Sequence, residues 1–397
     1  MKTMRPRARE KRTLATCCAT HTLHDGLSDV SYVLLPLLAQ SFGLSLAQVG
    51  LIRSAHRAAM AIFQIPAGLV AERFGARRLL ALGTLVAGAA FVALGYVSGF
   101  WMILGALFLA GVGSAVQHPL CSAIISHAYP AEGRRAALGT YNFAGDVGKF
   151  AFGGIVSLAL LAGIAWQATV VGFGVVGILT AAAVLLLFVD SRAAREHAAP
   201  APETTGWGIR DRRGFAALCL IEVVDSSTRT GFLTFIAFLL IAKGLPGKWA
   251  AAAVPLVLVG GMAGKLACGL LAERLGIVRM IVITELATGG GILAALALPG
   301  TAAFVLLPLL GVVLQGTTSV LYATIGEFVA EARLPRAFGL FYTIGSVCGI
   351  AAPLGFGLVG DRFGVDAVIG TTGLMILLTI PVAMLLKPSG ALRLRSS

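Results

Sequence analysis

The chain has 397 residues, of which 57% are hydrophobic and 12% are charged, and its formal net charge at pH 7 is +13. A soluble protein carries about 25% charged residues, so this composition excludes a soluble globular protein. Six scattered cysteines exclude a disulfide framework and a Cys-x-x-Cys site, and no cofactor or metal is predicted.

Twelve apolar segments follow one another along the chain, and each can cross a hydrocarbon core of ~30 Å. They predict an all-α polytopic membrane protein, because the apolar runs are continuous and do not alternate as in a β-barrel. The predicted spans are 13–41, 47–72, 77–98, 101–130, 134–162, 165–189, 214–242, 248–273, 277–299, 302–330, 336–360 and 366–387. They predict an N-terminal six-helix bundle (13–189), a cytoplasmic linker (190–213), a C-terminal six-helix bundle (214–387) and cytoplasmic tails (1–12 and 388–397).

Basic residues predict the orientation of these spans. Of the 31 Lys and Arg residues, 23 lie in the tails and the even-numbered loops, and three lie in the odd-numbered loops. Because Lys/Arg-rich loops stay cytoplasmic, both termini are expected inside a cell inner (plasma) membrane. The positive charge then serves topology and attraction to membrane lipid, and no nucleic-acid partner is predicted.

Span 1 carries four ionisable residues, which are costly inside a bilayer and therefore indicate function. His21, Asp25 and Asp29 recur every four residues and share one helix face, with His24 beside them. The two carboxylates have no Lys or Arg within a turn, so mutual repulsion predicts that one of them holds a proton.

Span 4 carries His118 at the same estimated depth, ~17 Å from the cytoplasmic end at ~1.5 Å per residue. Pro119 follows it and predicts an interruption of that helix, because proline lacks the N–H and clashes with the carbonyl of Ala115. The predicted proton-coupling group is Asp25, His24, His118, His21 and Asp29. The alternative is that Arg57 or Lys149 from other helices neutralises the carboxylates.

An internal repeat follows spans 2 and 8. Gly68-Leu-Val-Ala-Glu72-Arg73-Phe-Gly75 is echoed 201 residues later by Gly269-Leu-Leu-Ala-Glu273-Arg274-Leu-Gly276. Spans 5 and 11 share a second pattern at an offset of 200, Ala137-Leu-Gly139 with Gly145 and Ala337-Phe-Gly339 with Gly345. Together they predict a duplicated six-span unit with parallel halves.

The first of these loops, extended by Arg77 and Arg78, resembles the motif of the major facilitator superfamily between spans 2 and 3, with Glu where Asp is usual. The resemblance covers the whole chain and implies twelve transmembrane helices in two parallel-repeat six-helix bundles. It also implies a conformational latch, in which a carboxylate caps the N-terminus of a facing helix. The latch residues are Gly68, Glu72, Arg73, Gly75, Arg77, Glu273 and Arg274.

A narrower similarity is to the fosmidomycin-resistance branch, which is associated with drug efflux. It rests on His24-Asp25 and Leu34-Leu-Pro36-Leu-Leu in span 1 and on 111–119 in span 4. Two positions depart from the drug-proton antiporters of the superfamily. Leu107 stands where Arg is common, and Lys149-Phe150 replaces Gly-Pro, which leaves the direction of transport open.

The superfamily fold implies that spans 3, 6, 9 and 12 are peripheral and that the others line a central cavity. Spans 3, 6 and 12 have no charged residue in their interiors, and Glu285 in span 9 is the exception. The predicted substrate cavity contains Arg57, Gln117, Asp146, Lys149, Asp225, Arg229, Gln315 and Tyr342. As structural alternatives, Asp146–Lys149 and Asp225–Arg229 pair within their helices, and Glu222 pairs with Lys265.

These features predict a monomeric secondary transporter that exports a small organic solute, a drug or metabolite, in exchange for protons. Proton-coupled uptake or exchange of an organic anion is the first alternative, with Arg57, Lys149 and Arg229 as anion contacts. A transition-metal exporter that uses Cys17, His21, His24, His118 and Cys121 is a weaker one. An enzyme is not expected, because no nucleophile motif or His-Glu-x-x-His pair is present.

Overall fold

The computed structural model describes residues 6–129, 131–187, 208–330 and 333–386, and these residues are almost entirely α-helical. The helices are α1 (Pro6–Phe42), α2 (Leu46–Phe74), α3 (Ala76–Leu94), α4 (Phe100–Ser114), α5 (Gln117–Ala128), α6 (Ala131–Leu161), α7 (Trp166–Leu187), α8 (Arg212–Ala242), α9 (Gly247–Ala250), α10 (Ala253–Leu275), α11 (Ile277–Ala297), α12 (Gly300–Phe328), α13 (Leu334–Phe363), α14 (Val365–Ile376) and α15 (Thr379–Ala383). Most of the predicted linker and the C-terminal tail lie outside the described residues, whereas most of the N-terminal tail continues α1.

The all-α multi-pass fold is confirmed. Spans 1–3 are α1–α3, span 4 is α4 with α5, span 5 is α6, span 6 is α7, span 7 is α8, span 8 is α9 with α10, spans 9–11 are α11–α13, and span 12 is α14 with α15. Ten of these spans are long and apolar enough to cross a membrane, as far as the chain is described. The first two helices, of 37 and 29 residues, are long enough but more polar.

Span 4 is interrupted between α4 and α5, at Ala115 and Val116. The sequence predicts this interruption from Pro119, whose ring and missing N–H disrupt the preceding turn. Ala115 and Val116 keep α-helical dihedral angles, so span 4 continues through a local irregularity beside His118, and the predicted bend stays a prediction.

The chain forms two compact units, residues 1–44 with 51–202 and residues 45–50 with 203–397. In the first unit span 1 packs on span 5, and span 3 packs on spans 4 and 6. In the second unit span 7 packs on span 11, and span 9 packs on spans 10 and 12. The same pairs therefore recur six spans later, as expected for a duplicated unit.

The backbone conformation explains why each loop repeat ends in glycine. Gly75 and Gly276 have φ of 87° and 86°, and each directly precedes a helix. This left-handed region is strained for side chains with a Cβ. Gly364 repeats the geometry with φ of 84°. Gly364 ends a third copy of the loop sequence, Gly357-Leu-Val-Gly-Asp361-Arg362-Phe-Gly364. This copy follows span 11, so it lies outside the repeat of spans 2 and 8.

The carboxylate of this third copy caps a helix. Asp361 accepts hydrogen bonds from the backbone N–H groups of Leu46 and Ala47, at 2.7 and 3.2 Å, and from the Ser45 hydroxyl at 2.8 Å. These residues of the 45–50 segment belong to the second unit. Asp361 therefore caps the N-terminus of α2.

Candidate functional site

Asp25 is the centre of a charged cluster in the first unit. Its Oδ2 lies 3.1 Å from Lys149 Nζ on span 5 and 3.1 Å from His21 Nε2 one turn earlier on span 1. Its Oδ1 lies 3.4 Å from His118 Nε2 on span 4. Three spans therefore bring one lysine and two imidazoles to a single buried carboxylate, and we call these four residues the Asp25 cluster.

Two glycines of span 5 permit this approach. A Cβ at Gly148 would lie 2.0 Å from the carbonyl oxygen of Thr22, and a Cβ at Gly145 would lie 2.7 Å from Asp25 Oδ2. Side chains at these positions would push span 5 away from span 1, and Lys149 would move with it. Gly145 belongs to the pattern shared by spans 5 and 11, so the repeat has a packing reason here.

A backbone hydrogen bond and ring stacking hold His21 beside Asp25. His21 Nδ1 lies 2.7 Å from the backbone carbonyl oxygen of Tyr141, which can only accept, so Nδ1 carries a hydrogen. In a neutral imidazole Nε2 would then be an acceptor facing a carboxylate oxygen at 3.1 Å. Nε2 makes no hydrogen bond in the described part of the chain, so this contact is a close approach of the imidazole to the carboxylate and not a hydrogen bond. Stacking on the Tyr141 ring, with centroids 4.0 Å apart, fixes the His21 ring.

The Asp25 cluster has a buried part and a part that is accessible to solvent. The side chains of His21 and Asp25 are 3% and 8% exposed, whereas those of Lys149 and His118 are 29% and 38% exposed. Lys149 also lies 3.2 Å from the half-buried Asp146, so this predicted intrahelical pair forms. Lys149 and His118, which can both carry positive charge, are therefore the members of the cluster that a solute can reach.

Asp29 belongs to a separate ion pair. Its Oδ1 lies 3.1 Å from Arg53 NH2 on span 2. The Arg53 guanidinium also donates to the carbonyl of Ser28 and the hydroxyl of Ser31, and it lies 3.7 Å above the Tyr32 ring. The expectation of two mutually repelling carboxylates without a nearby cation is wrong, since cations of other helices neutralise both, as the alternative foresaw. Arg53, rather than Arg57, pairs with Asp29.

Sequence reasoning missed Arg53, although a signal was present. It is an arginine inside a span, one helical turn before Arg57, and both lie on one face of span 2. Arg57 is half-buried and makes no ion pair within the part of the chain that the structure describes. The predicted role of Arg57 in the cavity stays a prediction.

The His24 ring forms its hydrogen bonds with residues of spans 3 and 4. Its Nε2 donates to Thr84 of span 3 at 2.9 Å, because the Thr84 hydroxyl already donates to the carbonyl of Leu80. Its Nδ1 then accepts from Ser114 of span 4 at 3.2 Å. Both ring nitrogens are thus occupied in the neutral form, and His24 joins spans 1, 3 and 4.

The other predicted cavity residues divide between the units. Gln117 is buried and donates to the Tyr141 hydroxyl at 2.7 Å, which links it to the stack under His21. In the second unit Arg229 lies 3.6 Å from Asp225 and donates to Thr318, so the predicted i, i+4 pair forms. Gln315 is 9% exposed, and Tyr342 is 58% exposed.

Of the predicted latch residues, Arg73, Glu273 and Arg274 are exposed, and Gly68, Gly75 and Arg77 are half-buried. The side chain of Glu72 lies outside the described residues. The latch stays a prediction.

A metal could in principle use His21, Asp25 and His118, whose donor atoms lie within 4.8 Å of one another. The Lys149 ammonium, however, already places a positive charge 3.1 Å from the same carboxylate, which disfavours a second cation there. The soft ligands predicted alongside them are not brought to this point, because Cys17 and Cys121 lie in an apolar core cluster.

Comparison with known proteins places this geometry in a family. A model of the Major Facilitator Superfamily matches residues 18–325. The chain is 26% identical to a probable sulfoacetate transporter of Cupriavidus necator, over 84% of this chain and 83% of the relative. It is 25% identical to the 4-hydroxybenzoate transporter PcaK of Pseudomonas putida, over 90% of this chain and 86% of the relative. Neither relative supports the narrower similarity to the fosmidomycin-resistance branch.

Solved structures agree on the fold. A bacterial homologue of the human lysosomal transporter Spinster, in an inward-facing and occupied conformation, superposes with a TM-score of 0.81. The two chains are 19% identical, and 97% of each is covered. At this identity the likeness shows the fold alone.

Proposed function

The chain belongs to the Major Facilitator Superfamily, and the relatives described above are transporters of small organic solutes. We propose that it carries a small organic anion together with a proton by alternating access. The observation that carries this proposal is the Asp25 cluster. A buried carboxylate there neutralises two accessible groups, Lys149 and His118, that would otherwise attract an anion.

The organic anion binds to Lys149 and His118 in competition with Asp25. A carboxylate or sulfonate oxygen would take the positions that Asp25 Oδ1 and Oδ2 now occupy relative to the ammonium and the imidazole. Charge-assisted hydrogen bonds of this kind contribute about 1.5–3 kcal/mol each. Arg57 on span 2 is a further anion contact, as the sequence predicts.

Protonation of Asp25 decides the competition. Once Asp25 is neutral, Lys149 loses its strongest partner in the cluster and becomes available to the anion. His21 Nε2 lies 3.1 Å from the same carboxylate, so its imidazole is the neighbouring group with which Asp25 can exchange this proton. His24, joined to Thr84 and Ser114, positions span 1 and takes no part in the transfer.

This linkage favours uptake over the predicted efflux. Proton and anion bind together, so an inward proton gradient drives the anion inward by symport. Efflux by exchange with protons requires the opposite sign, in which protonation expels the solute. An anionic solute also agrees with the two relatives, which are a probable sulfoacetate transporter and a 4-hydroxybenzoate transporter.

Transport into proteoliposomes tests the proposal. Purified protein in liposomes, acid outside, is expected to accumulate labelled 4-hydroxybenzoate or sulfoacetate and to acidify the lumen at the same time. Uncoupler should abolish accumulation but leave exchange of labelled for unlabelled solute. Alkalinisation of the lumen on addition of solute would contradict symport, and inactivity with all small organic anions would contradict the solute class.

The orientation is part of the proposal. With both termini cytoplasmic, a cysteine at exposed Arg134 between spans 4 and 5 faces the cytoplasm, and a cysteine at exposed Lys248 faces outside. An impermeant thiol reagent added to intact cells is expected to label only the second. Labelling of the first alone would reverse the assignment.

The latch is also part of the proposal. Glu72→Gln is expected to slow transport several-fold in a folded protein, because the lost negative charge no longer stabilises a helix N-terminus. Glu273→Gln in the repeat loop is the matched comparison. Unchanged transport by the Glu72 variant would remove this role.

A further inference from the structure

Three carboxylates of the second unit lie outside the Asp25 cluster and lack adequate partners. Glu222 and Asp225 on span 7 are each 1% exposed, and Glu285 on span 9 is fully buried. Glu285 interacts electrostatically with both others and with Arg229. We call Glu222, Asp225 and Glu285 the carboxylate group.

Hydrogen bonding leaves most of these oxygens unsatisfied. Both oxygens of Glu285, both of Asp225 and Oε2 of Glu222 accept no hydrogen bond in the described part of the chain. The hydroxyl of Thr288, one turn after Glu285, is buried and equally without a partner. A buried, ionised carboxylate without hydrogen bonds is strongly unfavourable, and Glu285 is the clearest case.

The charge balance points the same way. Arg229 lies 3.6 Å from Asp225 and places one positive charge beside the carboxylate group. If Lys265 of span 8 is counted as a second cation, three carboxylates still exceed two positive charges. Full ionisation would therefore leave a net negative charge in a buried site, which the group avoids by holding a proton.

The neighbouring helices supply weak acids and hydroxyls. Span 11 brings Gly345 against Glu222, so that a Cβ there would lie 2.8 Å from Glu222 Oε1. Span 12 contacts span 7 through Thr372 and Thr228. The titratable and charged groups that face the carboxylate group are Cys219, Arg229, Tyr322, Tyr342 and Cys348.

From this geometry we infer that Glu222, Asp225 and Glu285 form a second proton-binding site, which holds at least one proton at neutral pH. Glu285 is its deepest member. The site is independent of the solute and of the proton at Asp25, so its test stands apart from the proposed transport function.

Infrared spectroscopy of the purified full-length protein at pH 7 tests the inference. Wild type is expected to show the C=O stretch of a protonated carboxylic acid, shifted by exchange into D₂O. Glu285→Gln, Glu222→Gln and Asp225→Asn are each expected to reduce or shift this band. Asp366→Asn, an exposed carboxylate at the start of span 12, is the matched control and should leave the band unchanged. A band of unchanged intensity and position in all three group variants would overturn the inference.

Thermal stability provides a second readout. Because the folded group holds a proton, raising the pH should lower the melting temperature of wild type, and Glu285→Gln should reduce that dependence while folding normally at pH 7. A Glu285→Gln protein that is strongly destabilised at pH 7 would show that an ionised Glu285 is required. A protonated band that appears only when choline replaces sodium would show a sodium site instead, and would equally overturn the inference.

Discussion

In the first unit the carboxylates of Asp25, Asp29 and Asp146 each lie 3.1–3.2 Å from a lysine or arginine nitrogen. In the second unit Glu222, Asp225 and Glu285 are more deeply buried, and the ion pair between Asp225 and Arg229 is longer, at 3.6 Å. The two units repeat the same helix pairs, so the difference lies in side chains and not in the scaffold. The units differ in the partners of their buried carboxylates: under the two proposals above, the first binds the anion and the coupling proton, and the second holds a further proton.

The largest expected effect separates the two kinds of carboxylate by transport. Asp25→Asn should abolish pH-driven accumulation of solute, because the coupling proton has no binding site beside Lys149, while exchange of solute survives. Accumulation and exchange are measured in the same proteoliposomes, with Asp366→Asn as control. A well-folded Asp25→Asn protein with normal accumulation would show that the Asp25 cluster is structural.

A second prediction separates the units by stability. Arg53→Met should destabilise the protein by about 3–5 kcal/mol, since it leaves Asp29 unpaired and removes the bonds to Ser28 and Ser31. Glu285→Gln in the other unit should cost little at pH 7. Thermal unfolding in detergent measures both, and Arg57→Met is the control on the same helix. Similar losses for the Arg53 and Arg57 variants would argue against a special role for the Asp29 pair.

A smaller effect is expected for the accessible cation. Lys149→Gln should weaken binding of the organic anion about 10–100-fold, equivalent to about 1.5–3 kcal/mol for one charge-assisted contact. Lys149→Arg should recover part of the loss, and Lys248→Gln at an exposed position of α9 should change nothing. Titration calorimetry with 4-hydroxybenzoate or sulfoacetate gives the constants. Equal affinity in wild type and Lys149→Gln would remove Lys149 from the anion site.

Span positions, the repeat and the local irregularity before Pro119 could be predicted because they depend on hydropathy and local backbone chemistry. The partners of Asp25 and Asp29 could not, since cations from other helices decide them and sequence neighbours suggest only repulsion. Glu285 stood out in the sequence as a charge in a peripheral span, but its proximity to Glu222 and Asp225 requires the fold.

Proton movement on solute binding tests the central claim most directly. Saturating solute is added to purified protein in weakly buffered solution near neutral pH, with a pH indicator. Wild type is predicted to take up protons, Asp25→Asn to take up none, and Glu285→Gln to behave as wild type. Proton release by wild type, or undiminished uptake by Asp25→Asn, would contradict the account.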